Sequence, residues 1–152
     1  MIEFKKILVP YDFTENAAKV IPHVVSLSQK YDATVCFMHV VEDLARWGIG
    51  AYVPHLPLES FRKEALEGAR QAMDTFCAEE LGSCASVRKI LSAGDPVEEI
   101  LKTIEQEAID LVIMATHGRK GLEHTIFGSV AENVLRRSSA PVLTINPHTI
   151  KK

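Results

Sequence analysis

At 152 residues the chain has the size of one domain, and a domain of this length buries roughly 68–70% of its unfolded surface. Its 47% hydrophobic and 24% charged residues are ordinary for a globular protein, and no apolar run reaches the roughly 18 residues of a membrane span. The net charge of −3 provides no basic field for nucleic acid. We therefore expect a cytoplasmic protein with one domain over residues 1–152, and with neither a membrane nor a nucleic-acid partner.

The first third of the chain predicts a strand, a helix and a second strand. Lys6 to Pro10 is a short run of β-type residues that ends in proline. Thr14 has the position of a helix N-cap, and helical spacing predicts one helix over Glu15 to Tyr31, kinked near Pro22. Thr34 to Val41 is nearly all apolar, which is typical of a strand buried on both faces of a parallel sheet.

A long connection and a long helix follow. Glu42 to Pro57 has no regular period, and so long a connection in a compact domain is usually a lid, a binding loop or a mobile segment. Helical spacing then predicts a helix over Leu58 to Glu80, with Gly82 as its stop. Ser86 to Leu91 alternates polar and apolar residues, which indicates a strand at the edge of the sheet.

The last third of the chain repeats the alternation of helix and strand. Asp95 has the position of an N-cap for a helix that runs to about Ala108. Asp110 to Ala115 is one acid followed by an unbroken apolar run, which predicts a buried strand. Helical spacing resumes over Ser129 to Arg137, and Pro141 to Ile145 is the fifth predicted strand.

Five strands interleaved with four helices indicate an α/β fold, in which βαβ crossovers build a parallel sheet with helices on both faces. Ligands of such sheets bind beyond the carboxyl ends of the strands, where the strand order reverses. The loops after the first and fourth strands, Pro10 to Phe13 and Thr116 to Gly128, are therefore the predicted sides of a ligand crevice. Gly128 and Ser129 begin a helix, whose unpaired N–H groups and dipole attract an anion such as phosphate.

Blocks of sequence in a fixed order resemble the universal stress protein family. They are Lys6 to Asp12, His39 with Val40, Gly94 to Pro96, Thr116 to Arg119, Gly128 to Arg136 and Ala140 to Val142. The resemblance spans nearly the whole chain, and each block falls where a strand is expected to end. It implies a sheet of strand order 3-2-1-4-5, of the adenine nucleotide alpha hydrolase-like type, in a stress-response protein with a regulatory role.

The ATP-binding members of that family carry a glycine, two residues, a glycine, nine residues, and a glycine followed by serine or threonine. This chain has Ala115, Gly118, Gly128 and Ser129 at those positions, so alanine replaces the first glycine. The added methyl group is harmless if Ala115 has ordinary strand dihedrals and points away from the ligand. It is obstructive if the backbone touches the nucleotide or takes a positive φ.

The resemblance also implies a set of ligand contacts for ATP and its Mg²⁺. The adenine and ribose side would be lined by Pro10, Tyr11, Asp12 and Val40, with Met114 and Ala115 close by. The phosphates would be held by Gly118, Arg119, Gly128, Ser129 and Val130. The carboxylate of Asp12 suits a ribose hydroxyl or the water shell of a magnesium ion, and its alternative role is to cap the turn that follows.

Several other residues have two interpretations. His117 contacts phosphate or transfers a proton, or it is a turn histidine that bonds nearby backbone. His39 is a ligand or a core histidine whose hydrogen bonds are satisfied. The three cysteines lack metal-ligand spacing, and Cys36 is interpreted as a core residue. Cys77 and Cys84 flank a helix end, where a disulfide is the alternative to two separate thiols.

Enzyme signatures are mostly missing from the sequence. It has neither a G-x-x-x-x-G-K-[ST] loop nor a G-x-G-x-x-G fingerprint, so fast ATP turnover is not predicted. Three functions stay open: a nucleotide-dependent regulatory protein, a slow ATPase, and a dimeric interaction protein whose nucleotide pocket Ala115 has disabled. Dimerisation is expected through Pro141 to Ile145, because an apolar edge strand pairs readily with a second chain, and because family members commonly dimerise there.

Overall fold

The computed structural model describes residues 1–48, 55–117 and 127–149. Strands within these ranges form one parallel sheet of five strands, in the order β3-β2-β1-β4-β5. They are β1 (Lys6–Pro10), β2 (Thr34–Val41), β3 (Ser86–Ala93), β4 (Leu111–Ala115) and β5 (Val142–Ile145). The predicted α/β class and strand order are confirmed.

Helices connect the strands on both faces of the sheet. They are α1 (Glu15–Ala18), α2 (Ile21–Tyr31), α3 (Leu58–Glu80), α4 (Pro96–Gln106) and α5 (Ser129–Arg137). A short 3₁₀ turn, Leu44–Trp47, begins the long connection after β2. Residues 49–54 of that connection lie outside the described part of the chain. None of the described helices is long and apolar enough to cross a membrane.

The predicted helix over Glu15 to Tyr31 is two helices, so the expected kink is a break. Thr14 caps α1 as predicted, since its side chain accepts a hydrogen bond from the N–H of Ala17 at 3.3 Å. The chain then breaks at Val20, and Pro22 is the second residue of α2. Proline is tolerated in a first helical turn because its missing N–H has no partner there in any case.

Two other boundaries differ from the prediction. β3 continues to Ala93, because its whole length pairs with β2, from Thr34 with Ser86 to Val41 with Ala93. The helix after Asp95 ends at Gln106, and Ala108 has a φ of 51°. A non-glycine residue in that left-handed conformation does not continue a helix.

Alternate residues of each buried strand enter two layers of the core, one on each face of the sheet. The α2/α3 layer includes Val9, Phe37, Ile113, Val24 and Met73. The α4/α5 layer includes Leu8, Met38, Val112, Ile104 and Val134. Cys36, 1% exposed in the α4/α5 layer, is a core residue as predicted, and its burial raises the pKa of its thiol. Cys77 and Cys84 are free thiols.

Candidate functional site

The sheet opens between β1 and β4 at the carboxyl ends of these strands. The pairing between them ends at Leu8 with Val112. Beyond that point the chain after β1 bonds toward β2, because the N–H of Tyr11 donates to Met38 at 2.8 Å. The chain after β4 bonds the other way, and the N–H of Thr116 donates to the carbonyl of Ile145 at 2.9 Å. The two chain segments therefore diverge at the switch point of the strand order, where sheets of this kind bind their ligands, and we call the place between them the crevice.

One wall of this crevice is apolar and belongs to the α4/α5 layer. Val40 at the end of β2, Met114 near the end of β4 and Val130 in the first turn of α5 belong to the same hydrophobic cluster. Met114 is 6% exposed, whereas Val40 and Val130 are half-buried. Three residues that the resemblance implies are thus brought together from three separate parts of the chain.

Tyr11 and Ala115 have their side chains in the other layer. The Tyr11 ring lies 5.0 Å from that of Phe37 and 4.6 Å from that of Phe76, and burial raises its pKa to about 12. Ala115 packs against the same α2/α3 layer. At the crevice, Tyr11 and Ala115 therefore present backbone rather than side chains. Pro10, the last residue of β1, pairs with Met38 and so lies on the α4/α5 face, as Val40 and Met114 do.

The carboxylate of Asp12 shapes the turn after β1. Its Oδ1 atom accepts hydrogen bonds from the N–H of Thr14 at 3.1 Å and from the Thr14 hydroxyl at 2.6 Å. The capping role considered from the sequence is therefore present. Within the described residues Oδ2 has no hydrogen-bond partner, so the half-buried carboxylate retains an acceptor for a ligand.

The start of α5 supplies the anion-binding end. Gly128 is its N-cap, with a φ of −73° and a ψ of 159°, and its N–H donates to the carbonyl of Thr116 at 2.6 Å. Within the described residues no side-chain hydrogen bond caps the helix, so the N–H groups of its first turn offer donors to an anion. Ser129, the exposed first helical residue, adds a hydroxyl. Gly118 and Arg119, the other implied phosphate contacts, lie outside the described residues.

The two histidines near the crevice have partners inside the protein. His39 Nδ1 lies 2.7 Å from the carbonyl oxygen of Tyr11, and a carbonyl only accepts, so Nδ1 carries the proton. His39 is therefore a satisfied histidine, as one interpretation held. His117 is 2% exposed, with Nδ1 2.8 Å from the Thr116 hydroxyl and its ring 5.3 Å from that of His148. Both of these contacts join His117 to side chains.

Phe13 is a residue of this region that sequence patterns did not single out. It has a φ of 59°, which is unfavourable for a bulky side chain, and its ring lies 4.9 Å from His39 and 6.1 Å from Phe76. It also lines a wide groove of about 470 Å³ along the outer side of α3. That groove adjoins the α2/α3 layer, on the opposite face of the sheet from Val40 and Met114. In the sequence, only its position between the turn residue Asp12 and the N-cap Thr14 could have indicated an unusual backbone conformation at Phe13.

Comparisons with known proteins agree on one family. A sequence profile of the universal stress protein family matches residues 3–146. Universal stress protein MJ0577 of Methanocaldococcus jannaschii is 32% identical over 95% of this chain and 96% of its own length. The solved structure of MJ0577 superposes with a TM-score of 0.82, at 30% identity, over 95% of this chain and 97% of that one. A universal stress protein solved in complex with cAMP has a TM-score of 0.62 at 16% identity, over 96% and 99% of the two chains.

Proposed function

This chain belongs to the universal stress protein family, and from that premise we propose that it binds ATP with Mg²⁺ in the crevice between β1 and β4. In this proposal the bound nucleotide sets the conformation of the surrounding loops, and the protein acts as a nucleotide-dependent regulator in the stress response. The observation that carries the proposal is the divergence of the chain after Leu8 and Val112, directly beside the uncapped start of α5.

The two ends of the crevice match the two ends of the ligand. Val40, Met114 and Val130 offer an apolar wall against which a base can be buried. Gly128 and Ser129 offer backbone donors and the positive end of a helix dipole, which favour phosphate oxygens. Asp12 lies after β1, between Val40 of β2 and the helix start that follows β4, where its carboxylate suits a ribose hydroxyl or a magnesium-bound water.

Ala115 supports nucleotide binding over a disabled pocket. It is the last residue of β4, and it is not among the described residues with a positive φ. Its methyl group packs into the α2/α3 layer, away from Val40 and Met114. Strand dihedrals and a methyl group directed away from the apolar wall both support an alanine that leaves the site open to a nucleotide. A protein of the same fold has been solved in complex with cAMP, so the fold accommodates an adenine nucleotide in that protein.

The proposed assembly is a homodimer through β5. This strand lies at the edge of the sheet and pairs only with β4 among the described strands. Leu143, at the middle of β5, is 38% exposed, which is unusual for a leucine in a strand. Pairing with the same strand of a second copy would bury this side chain and satisfy the free edge.

Ser129→Asp tests the nucleotide site without weakening the fold. An acidic residue in a first helical turn is favourable for the helix dipole, but it repels phosphate. Ser60→Asp is the matched control, because Ser60 is an exposed residue in the first turn of α3. We expect saturating ATP and Mg²⁺, at about 100 times Kd, to raise the Tm of wild type and of Ser60→Asp by about 5–10 °C.

In the same titration Ser129→Asp should show little or no rise with ATP, while its Tm without ligand equals or exceeds that of wild type. Wild-type protein without any ATP-dependent rise, and without nucleotide released on denaturation, would contradict the proposed function. An unchanged response of Ser129→Asp would place the phosphates elsewhere.

A further inference from the structure

Ser92 carries a buried hydroxyl that the fold does not use. Among the residues that the structure describes, its Oγ is the one buried side-chain oxygen or nitrogen without a hydrogen-bond partner. Buried polar groups in proteins are nearly always paired, and an unpaired one destabilises the folded chain. A hydroxyl kept in such a position therefore calls for a partner that is absent from the protein alone.

The sheet places Ser92 beside the apolar wall of the crevice. Ser92 of β3 is the direct partner of Val40 in β2, and paired residues of neighbouring parallel strands point to the same face. Ile90, two residues earlier in β3, packs against the α4/α5 layer together with Val40 and Met114. By the two-residue period of a strand, Ser92 lies on that same face.

The proposed nucleotide site, together with the strand order, indicates which part of a nucleotide would come nearest to Ser92. Phosphates at the start of α5 lie beside β4 and β5, and a ribose at Asp12 lies beyond β1. A base that continues in this direction lies over β2, against Val40, with its far edge toward β3. A purine is joined to ribose through N9, so its far edge is the six-membered ring with the 6-substituent.

We propose that Ser92 is a specificity-determining residue, whose hydroxyl forms a hydrogen bond with the 6-amino edge of adenine. This assignment rests on the proposed nucleotide function. A serine hydroxyl accepts from an amino group and donates to a ring nitrogen, so it can serve either polar atom of that edge. Ser92 as a residue is half-buried although its Oγ is enclosed, so contact with a base requires rotation about χ1 to another staggered position, which leaves the backbone in place.

The test compares two variants and two ligands by calorimetric titration. Ser92→Ala removes the hydroxyl, whereas Ser92→Thr keeps it. ATP carries the 6-amino group, and purine riboside triphosphate lacks it. We expect Ser92→Ala to bind ATP about 5- to 10-fold more weakly than wild type and purine riboside triphosphate equally well, while Ser92→Thr retains most of the ATP affinity.

Thermal melting without ligand separates this role from a structural one. Because the hydroxyl has no partner among the described residues, Ser92→Ala should have a Tm equal to or above that of wild type. A lower Tm for Ser92→Ala, together with an equal loss of affinity for both ligands, would overturn the assignment. An unchanged affinity for ATP would overturn it as well. If the wild-type protein binds neither ligand, the proposed function fails and the assignment of Ser92 fails with it. If the wild type binds ATP and Ser92→Ala binds it equally, only the assignment fails.

Discussion

Arg46 and Asp95 form an ion pair at 2.7 Å that joins the 3₁₀ turn after β2 to the first turn of α4. Asp95 is also the N-cap of α4, since its Oδ1 accepts from the N–H of Glu98 at 2.9 Å. The backbone bond from Glu98 and the Arg46 guanidinium together lower the pKa of this carboxyl. One side chain thus fixes the start of a helix and holds the beginning of the long connection, Glu42 to Pro57, against the end of β3.

Removal of this cap should weaken the fold in a pH-dependent way. We expect Asp95→Ala to lower the free energy of unfolding by about 1 kcal/mol at pH 7, the usual cost of a lost N-cap. Because the pKa of Asp95 is lowered on folding, its stabilising charge is present above the unfolded pKa of about 4 and is lost as the pH falls through the folded pKa. Thermal melts between pH 7 and pH 2 should show that the difference in Tm between wild type and Asp95→Asn disappears at the acidic end.

Asp74→Asn is the control for that experiment. This substitution breaks the ion pair between Asp74 and Lys89. Both side chains of that pair are exposed, and Asp74 caps no helix among the described ones. Exposed pairs of this kind contribute little, so its melts should stay close to those of wild type. A constant gap between wild type and Asp95→Asn at every pH would contradict the assigned role of the charge.

Because Phe13 has a left-handed backbone conformation, glycine should be more stabilising than alanine at this position, the reverse of the usual order. Its φ of 59° is unfavourable for any residue with a Cβ, by roughly 1–2 kcal/mol. Both Phe13→Ala and Phe13→Gly lose the ring contacts with Tyr11 and Phe76, so their difference isolates the backbone. We expect Phe13→Gly to be about 1 kcal/mol more stable than Phe13→Ala in urea unfolding.

The matched comparison is Ala72→Gly in α3, at an exposed helical position. Ala72→Gly should lower the free energy of unfolding by about 1 kcal/mol, so the difference between glycine and alanine has the opposite sign at this position. The same sign at both positions would show that Phe13 is not strained in solution.

Ala115→Gly tests whether the alanine in the glycine motif obstructs the nucleotide. Because its methyl group faces the α2/α3 layer, we expect the ATP affinity to change by less than about twofold, within the small effect of one distant methyl. The free energy of unfolding should fall by about 0.5–1 kcal/mol, since glycine loses more conformational freedom on folding than alanine does. Titration calorimetry and urea unfolding measure the two quantities. ATP binding that appears only in Ala115→Gly would instead favour the nucleotide-independent dimer.

Local sequence signals predict the elements of this fold, whereas the arrangement of the candidate site depends on which strands are neighbours. Thr14 and Asp95 are capping residues whose chemistry acts within three positions of the chain, and both were identified from sequence. The break before Pro22 was missed, because a kink and a fresh helix start give the same local pattern. The opposite layers of Tyr11 and Val40, and the pairing of Ser92 with Val40, depend on strand neighbours far apart in sequence. No local period contains that information.

The exposed edge of β5 leads to a further prediction: a single charged substitution in this strand should prevent dimerisation. We expect Leu143→Arg to be monomeric at micromolar concentration in sedimentation velocity, because a charge would have to be buried on pairing, whereas the wild type is dimeric. Leu135→Arg is the control: Leu135 is similarly exposed, at 41% against 38% for Leu143, but it lies on α5 and not on the edge strand. It should remain dimeric. A monomeric wild type, or dissociation of both variants alike, would mean that β5 is not the interface.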